Sequence, residues 1–488
     1  MVRNGRAFLR KSKTDGIVRR FGGGRLLGKL VDMRRSWFCQ PLDREIYRIA
    51  VPAFLGSLGF ILFDAINIFW VGKLGTPALA GVASAAFLTW AVYAAMQATT
   101  AGANSLIAQF FGAGRAGDAR RVAVEAAWLS LGASLLLMAL LLPCISAIFR
   151  FMGLQPGTAA YARQYLTVYT CALPLYYLCN LAGSVFNAYG DTRTNVLIMT
   201  SSVALNMALD PVLILGYVTG RPFGAVGAAT ASAIATTCAL TLQMVFLRRR
   251  GYLPPMAEVV RLPAFTLSRR ILAIGLPAAA VNLVWSLVYP ALTVIITRFG
   301  EAPLAGLSVC FRLEGVPYFL GIGFGTAMAA LVGQSYGRGD LRSVRKIVGR
   351  GRLLITALLL PVALAFILIP GLLVRPLTSD PEVIANAVRY LRTIGCFEVF
   401  LGWELLFEGA FTGLGHTRDF MLVCVPLTVA RWPLAWLLAI TMGLGTPGIW
   451  WAISLSTMAK GLWLARLFYK GGSTSRLLDT HPSPDHPL

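Results

Sequence analysis

The sequence predicts an all-α integral membrane protein: twelve transmembrane helices in two six-helix bundles related by pseudo-two-fold symmetry along the membrane normal. Three observations lead there. Of 488 residues, 57% are hydrophobic and 13% charged, against roughly 25% charged in a soluble domain. The charges fall between apolar stretches long enough to cross a hydrocarbon core, which takes about 20 residues per helix. The chain also repeats itself at a shift of 225 residues: Pro52 returns as Pro277, Gly75 as Gly300 and Leu79-Ala80-Gly81 as Leu304-Ala305-Gly306. Gln109, Gly112 and Gly114 return as Gln334, Gly337 and Gly339, and Gly190-x-Thr192-Arg193 as Gly415-x-Thr417-Arg418. The register holds from about residue 46 to 193 without a net gap. Copies this long and apolar match the duplicated halves of a secondary transporter, not solenoid units.

Taken in order, the apolar stretches give spans at about 46–72, 79–111, 120–149, 159–188, 194–219, 224–247, 271–297, 304–336, 344–374, 386–413, 419–442 and 447–469. Six spans per copy is an even number, so both copies enter the membrane in the same sense. Gly224-Ala-Val-Gly227 against Gly445-Thr-Pro-Gly448 extends the match to the last span of each copy, at a shift of 221. The expected organisation is a basic tail at 1–45, an N-terminal lobe at 46–250, an inter-lobe linker at 251–270, a C-terminal lobe at 271–470 and a second tail at 471–488.

Net charge is +23, with twelve Lys or Arg in residues 1–44. Further basic groups follow even-numbered spans: Arg115, Arg120 and Arg121; Arg248, Arg249, Arg250, Arg261 and Arg269; Arg338, Arg342, Arg345 and Lys346. The loops after spans 1, 3, 5 and 7 offer little beyond Lys73, Arg150, Arg221 and Arg298. The positive-inside rule puts both termini in the cytoplasm of a multi-pass plasma (inner) membrane protein. The charge is thus a topology signal, aided by anionic lipid, and does not point to a nucleic-acid partner. The eight Cys are scattered without a C-x-x-C pair, and the three His (His416, His481, His486) lie outside the spans, which leaves no His-based metal site in the membrane. No phosphate loop, nucleophile elbow or dinucleotide fingerprint is present, so neither an enzyme nor a cofactor is expected. Any transport must draw on an ion gradient or a partner.

An ionised side chain at the centre of a spanning helix costs about 2.5–3.5 kcal/mol on insertion scales. Asp64, Asp210, Arg312, Glu314, Glu398, Glu404, Glu408 and Arg431 all fall within spans. Asn206 and Asp210, four apart, share a helical face, and Pro211 frees a carbonyl one turn back. Such a group can bind a hard cation, Na⁺ at Asp210 being the metal candidate, or hold a proton on a desolvated carboxylate. A plain interhelical hydrogen bond is the alternative. Asp64 and Asn67 share a face of the first span and would meet Asp210 if spans 1 and 5 line one cavity. Glu404 and Glu408 are too close to ionise together in low dielectric; one holds a proton, or Arg312 or Arg431 neutralises one. Trp70, Trp90, Tyr93, Trp285, Tyr289 and Trp403 are either cation-stacking rings or core and interface anchors.

The ordered motifs carry a family resemblance. V-G-K-L-G-x-x-x-L-A-G (Val71 to Gly81), I-A-Q-F-F-G-A-G ending span 2, A-Y-G-D-T-R after span 4, L-N-M-A-L-D-P in span 5 and G-A-V-G-A-A in span 6 resemble the MATE (multidrug and toxic compound extrusion) transporters over residues 45 to 470. The resemblance implies an outward-opening V of two bundles that exports organic cations, drugs or other amphiphiles in exchange for H⁺, preferred here, or Na⁺. It carries Asn206 and Asp210 over as the N-half cation site, with Asn180, Thr230 and Ser232 as further candidates. The family's usual span 1 Asp falls on Asn67, with the acid one turn earlier at Asp64. One branch's span 7 carboxylate is absent, leaving Glu314, Glu404, Glu408 and Arg431 to serve a different cation or substrate site. A lipid-linked oligosaccharide flippase of the wider superfamily is the alternative, and a lipid-modifying membrane enzyme a third class. The two-lobed unit is expected to function as a monomer in the lipid bilayer.

Overall fold

In the computed structural model the described residues are 40–217, 220, 222–255 and 265–470, without the side chains of 60–65 and 87. The tail at 1–39, Arg221, the linker stretch 256–264 with Arg261 and the tail at 471–488 lie outside them. The chain divides into two compact units, 1–45 and 46–488. In the first, the Gln40 N–H donates to Asp43 Oδ2 at 3.0 Å.

Helices α1 (Pro41–Gly72), α2 (Thr76–Gly112), α3 (Ala116–Phe151), α4 (Pro156–Cys171), α5 (Leu173–Ala188), α6 (Thr192–Ile214) and α7 (Gly224–Arg249) occupy the stretches of the first six expected spans. The later six are occupied by α8 (Ser268–Ile296), α9 (Glu301–Gly337), α10 (Leu341–Leu368), α11 (Pro370–Val374), α12 (Pro381–Gly395), α13 (Glu398–Leu414), α14 (Thr417–Val429), α15 (Arg431–Trp436) and α16 (Thr446–Lys470). No strand occurs among the described residues. Eight helices among them are long and apolar enough to cross a membrane, counting α8 with its 3₁₀ turn and α14 to Thr441 as single runs.

The fourth and tenth stretches are broken, at Ala172 and at Cys396–Phe397. Ala172 and Phe397 are repeat-related, so both halves bend at one place. Pro174, which has no amide to donate one turn back, accounts for the first break; nothing in the local sequence explains the second. Ile369–Pro370 ends the ninth stretch early, and a π turn at Leu437–Thr441 closes the eleventh. At the start of α10, the Asp340 carboxylate accepts from the Ser343 N–H at 3.0 Å. Bonds from Ser343 hold its carboxyl below the usual carboxylate range.

The repeat is preserved in backbone geometry. Gly75 and Gly300 have φ 103° and 102°, and Gly114 and Gly339 both 75°, a region that glycine enters without a Cβ penalty. The halves meet through repeat-related contacts at the end carrying the loops 113–115 and 338–340. A Cβ on Gly275 would strike the Ala98 carbonyl, and one on Gly323 the Ala50 carbonyl, the same pair of positions exchanged between copies. Gly112 abuts Gln334 and Gly337 abuts Gln109 in the same way. Gln109 Nε2 donates to the Gly413 carbonyl at 2.9 Å, and Gln334 Nε2 to the Ala188 carbonyl at 2.9 Å. The recurring glutamines and glycines of the sequence are therefore an interlocking seam. Glu125 of α3 adds an asymmetric clamp on the start of α8, accepting from the Leu267 N–H and Ser268 Oγ, both at 2.9 Å, and from Thr266 Oγ1 at 3.2 Å. A carboxylate at a helix N-terminus meets unpaired amides and the positive end of the dipole.

Candidate functional site: a cavity between the halves

Above this seam lies a cavity of about 680 Å³, lined by α1, α2, α4, α5, α6 and α7 of the first half and α8, α9 and α13 of the second. Its floor is set by the seam, since the lining residues Asn187 and Thr412 directly precede the carbonyls that accept from Gln334 and Gln109. Among the described lining residues one side chain is a carboxylic acid, Glu408, and none is a strong base. Tyr93, Tyr169, Tyr176 and Tyr318 give the wall aromatic faces.

Asn206 and Ser232 stand in this wall. The orientation of the Asn206 amide that satisfies all its neighbours has its nitrogen donating to Asp210 Oδ2 at 3.2 Å. Its oxygen then accepts from the Ser232 N–H at 2.9 Å and Oγ at 3.1 Å. Asp210 lies one helical turn behind Asn206 with 0% exposure. Pro211 leaves the carbonyl one turn back without an amide partner, which adds a polar group beside the acid. The spacing of four thus gives a buried carboxylate linked to the cavity through one amide.

The remaining candidates divide. Asn180 lines the cavity, whereas Thr230 donates to the Val226 carbonyl of its own helix at 2.8 Å. Asn67 is buried and its Oδ1 has no partner among the described residues. One turn beyond Asn67 and Asp210, Val71 and Ile214 pack in a single cluster, which sets the two polar residues at one level of adjoining helices. Asp64 is in α1, but its side chain lies outside the described set. Ala53, Gly56, Ser57 and Gly59 of α1 do share the cavity wall with Asn206.

In the second half, the Tyr390 hydroxyl donates to Glu314 Oε2 at 2.6 Å. Glu398 is 1% exposed, and neither carboxylate oxygen finds a partner among the described residues. Arg431 Nε donates to Ser456 Oγ at 2.6 Å and Nη2 to Thr457 Oγ1 at 2.9 Å. The guanidinium also stands 5.8 Å from the centre of the Tyr289 ring. Arg312 is exposed. The partner of Glu404 is neither arginine but Lys460 of α16, whose ammonium donates to Oε1. Sequence reasoning passed Lys460 over, although a lone cation in the middle of an apolar span falls under the same insertion cost as the acids. Of the six aromatic candidates, Tyr93 alone is among the cavity-lining residues. Trp90 and Trp285 stack across the halves at 6.1 Å, Trp285 on Tyr318 at 6.0 Å, and Trp403 Nε1 donates to Thr356 at 2.8 Å.

Comparison with known proteins bears on the family and the fold. The MatE family model matches twice, at residues 52–212 and 277–437, the two copies standing at the displacement of the internal repeat. A probable multidrug resistance protein NorM of Thermotoga maritima is 26% identical over 417 residues, 84% of this chain and 88% of that protein. Its namesake in Pseudomonas aeruginosa is 29% identical over 444 residues, 86% of this chain and 88% of that protein. A crystal structure of a MATE in complex with MaL6 superposes with a TM-score of 0.82 at 23% identity, over 91% of this chain and 99% of the other. With a duplicated family model spanning most of both halves and a shared helical fold, the chain belongs to the MATE family of multi-pass membrane transporters.

Proposed function

We propose that this transporter exports organic cations, drugs among them, and other amphiphiles by antiport against a coupling cation, H⁺ in preference to Na⁺. The observation that carries the reading is the cavity itself: a chamber between the halves with an acid and no strong base among its described lining residues, backed by the buried Asp210. Such a wall favours a cation with apolar surface and disfavours the pyrophosphate of a lipid-linked sugar, which needs basic partners. The names of the relatives point to multidrug export as well.

H⁺ is preferred because the satisfying orientation of Asn206 turns an N–H₂, not an oxygen, toward Asp210, whereas a hard cation collects oxygen ligands. If Na⁺ is the coupling ion, Asp210 is its ligand. Twelve spans in two six-helix bundles, with both termini and the even-numbered loops cytoplasmic, place the glutamine seam on the inner side and open the cavity outward. One chain then forms the whole working unit. Cation occupancy of Asp210 biases the packing of α1 and α6, and it does so only as far as its affinity differs between the two states. Asn180 and Glu408 belong to the wall that the substrate meets, and the buried Asn67 stands with Asp210 on the coupling side.

Purified protein in proteoliposomes tests this. An imposed pH gradient, inside acidic, is expected to drive ethidium uptake without added Na⁺, and a Na⁺ gradient at equal pH to give none. Uptake driven by Na⁺ alone would move the coupling assignment to Na⁺; no uptake under either gradient would contradict antiport.

A further inference from the structure

We infer that Lys460 is a built-in counter-cation: a tethered ammonium that occupies the C-half carboxylate Glu404 and so withholds that carboxylate from ion exchange. The inference rests on the antiport reading above. Glu404 and Lys460 are 8% and 1% exposed and form an ion pair across α13 and α16. Removing one member of a buried pair leaves the other charge uncompensated in low dielectric, which is strongly destabilising. The pair is therefore a fixture of the fold.

The other Glu404 oxygen has no partner among the described residues, so the ammonium alone satisfies a carboxylate that is otherwise open. One turn away on the same helix, Glu408 faces the cavity. Without Lys460, two carboxylates would stand together beside a chamber accessible to ions, an arrangement that calls for a proton or a small monovalent cation between them. Lys460 supplies that charge from a covalent stem, and a tethered charge cannot be released to either side.

The repeat gives independent support. Asp210 of the first half corresponds to Ala435 in the second, and Asn206 to Arg431. The second half has thus lost the acid at the equivalent place and gained a second fixed cation, held by Ser456 and Thr457. At these positions the first half carries an acid and the second half a resident cation. Glu404 is thereby removed from coupling, which leaves Asp210 as the carboxylate of the proposed exchange.

The test measures the unfolding midpoint of purified Lys460→Ala at alkaline pH, in NaCl against choline chloride at equal ionic strength. Na⁺ is expected to raise the midpoint of the variant by several degrees and leave the wild type unmoved, as binding to the folded state alone requires. Adding Glu404→Gln to Lys460→Ala is expected to abolish the Na⁺ effect. A Lys460→Ala midpoint indifferent to Na⁺ overturns the inference, as does an equal response in the wild type. Should Lys460→Ala not fold, the neutral pair Glu404→Gln with Lys460→Gln decides. It is expected to keep ion-driven ethidium transport within about twofold of wild type; loss of that transport in folded protein overturns the inference. If the wild type itself shows no ion-driven transport, the antiport reading fails, while the Na⁺ response of Lys460→Ala still reports on Lys460.

Discussion

Asp210→Asn is expected to abolish ion-driven efflux of a cationic dye such as ethidium, with the protein still expressed and folded. The substitution keeps the shape of the side chain and a hydrogen-bond partner for Asn206, so little packing is lost. What disappears is the charge and with it the coupling ion. A ligand must bind one state about 10⁴-fold better than the other to move a 1:99 balance to 99:1, and an amide without titratable charge has no means of doing so through H⁺. Ser232→Ala removes one of the two donors that the amide oxygen of Asn206 accepts from and is expected to weaken efflux without eliminating it. Thr230→Val, whose hydroxyl is spent on its own helix, is expected to leave efflux unchanged. Dye efflux from cells with matched protein levels checks all three; wild-type efflux in folded Asp210→Asn would remove the acid from the mechanism.

Gly275→Val is expected to be strongly damaging to the seam between the halves. A Cβ there runs into the Ala98 backbone carbonyl, and a helix backbone cannot step aside as a flexible side chain can. Overpacking of this kind costs typically 1–3 kcal/mol and, against backbone, about 3 kcal/mol or more. Gly59→Val is the control: the glycine lines the cavity, and nothing lies within 4 Å of its Cβ position. Heating each variant in detergent and measuring the monodisperse fraction that survives compares them. Gly275→Val is expected to melt well below wild type and Gly59→Val close to it; equal melting of the two would show that the seam does not depend on close backbone approach.

The all-helical fold and the family were the most legible part of the chain, because apolar length and the 225-residue repeat are properties of the sequence itself. The Asn206–Asp210 pair was legible for a similar reason: four residues of separation fix two side chains on one helical face. Ser232 entered through the family resemblance, since nothing local ties α7 to α6. Gln109 and Gln334 were visible as repeated residues, but their acceptors lie 304 and 146 residues away, beyond any local pattern. The breaks at Ala172 and Phe397 were hidden because a bent helix keeps the apolar character of a straight one. Arg312 and Arg431 were the expected neutralisers of Glu404, and Lys460 took that place because pairing is decided by which helices adjoin, here α13 and α16. Trp285 and Trp403 were ambiguous for the opposite reason: an aromatic ring satisfies packing and ligand stacking equally well, and three-dimensional placement assigned them to packing.

Spin labels on Gln155 and Ser379, in the short loops before α4 and α12, report the separation of the two halves at the end away from the glutamine seam, the outer mouth in the proposed topology, when the native cysteines are replaced. Distances measured at acidic and alkaline pH are expected to shift between a wide and a narrow population in the wild type, and to stay in one population in Asp210→Asn. Identical pH responses in the two proteins would contradict the assignment of the conformational switch to Asp210.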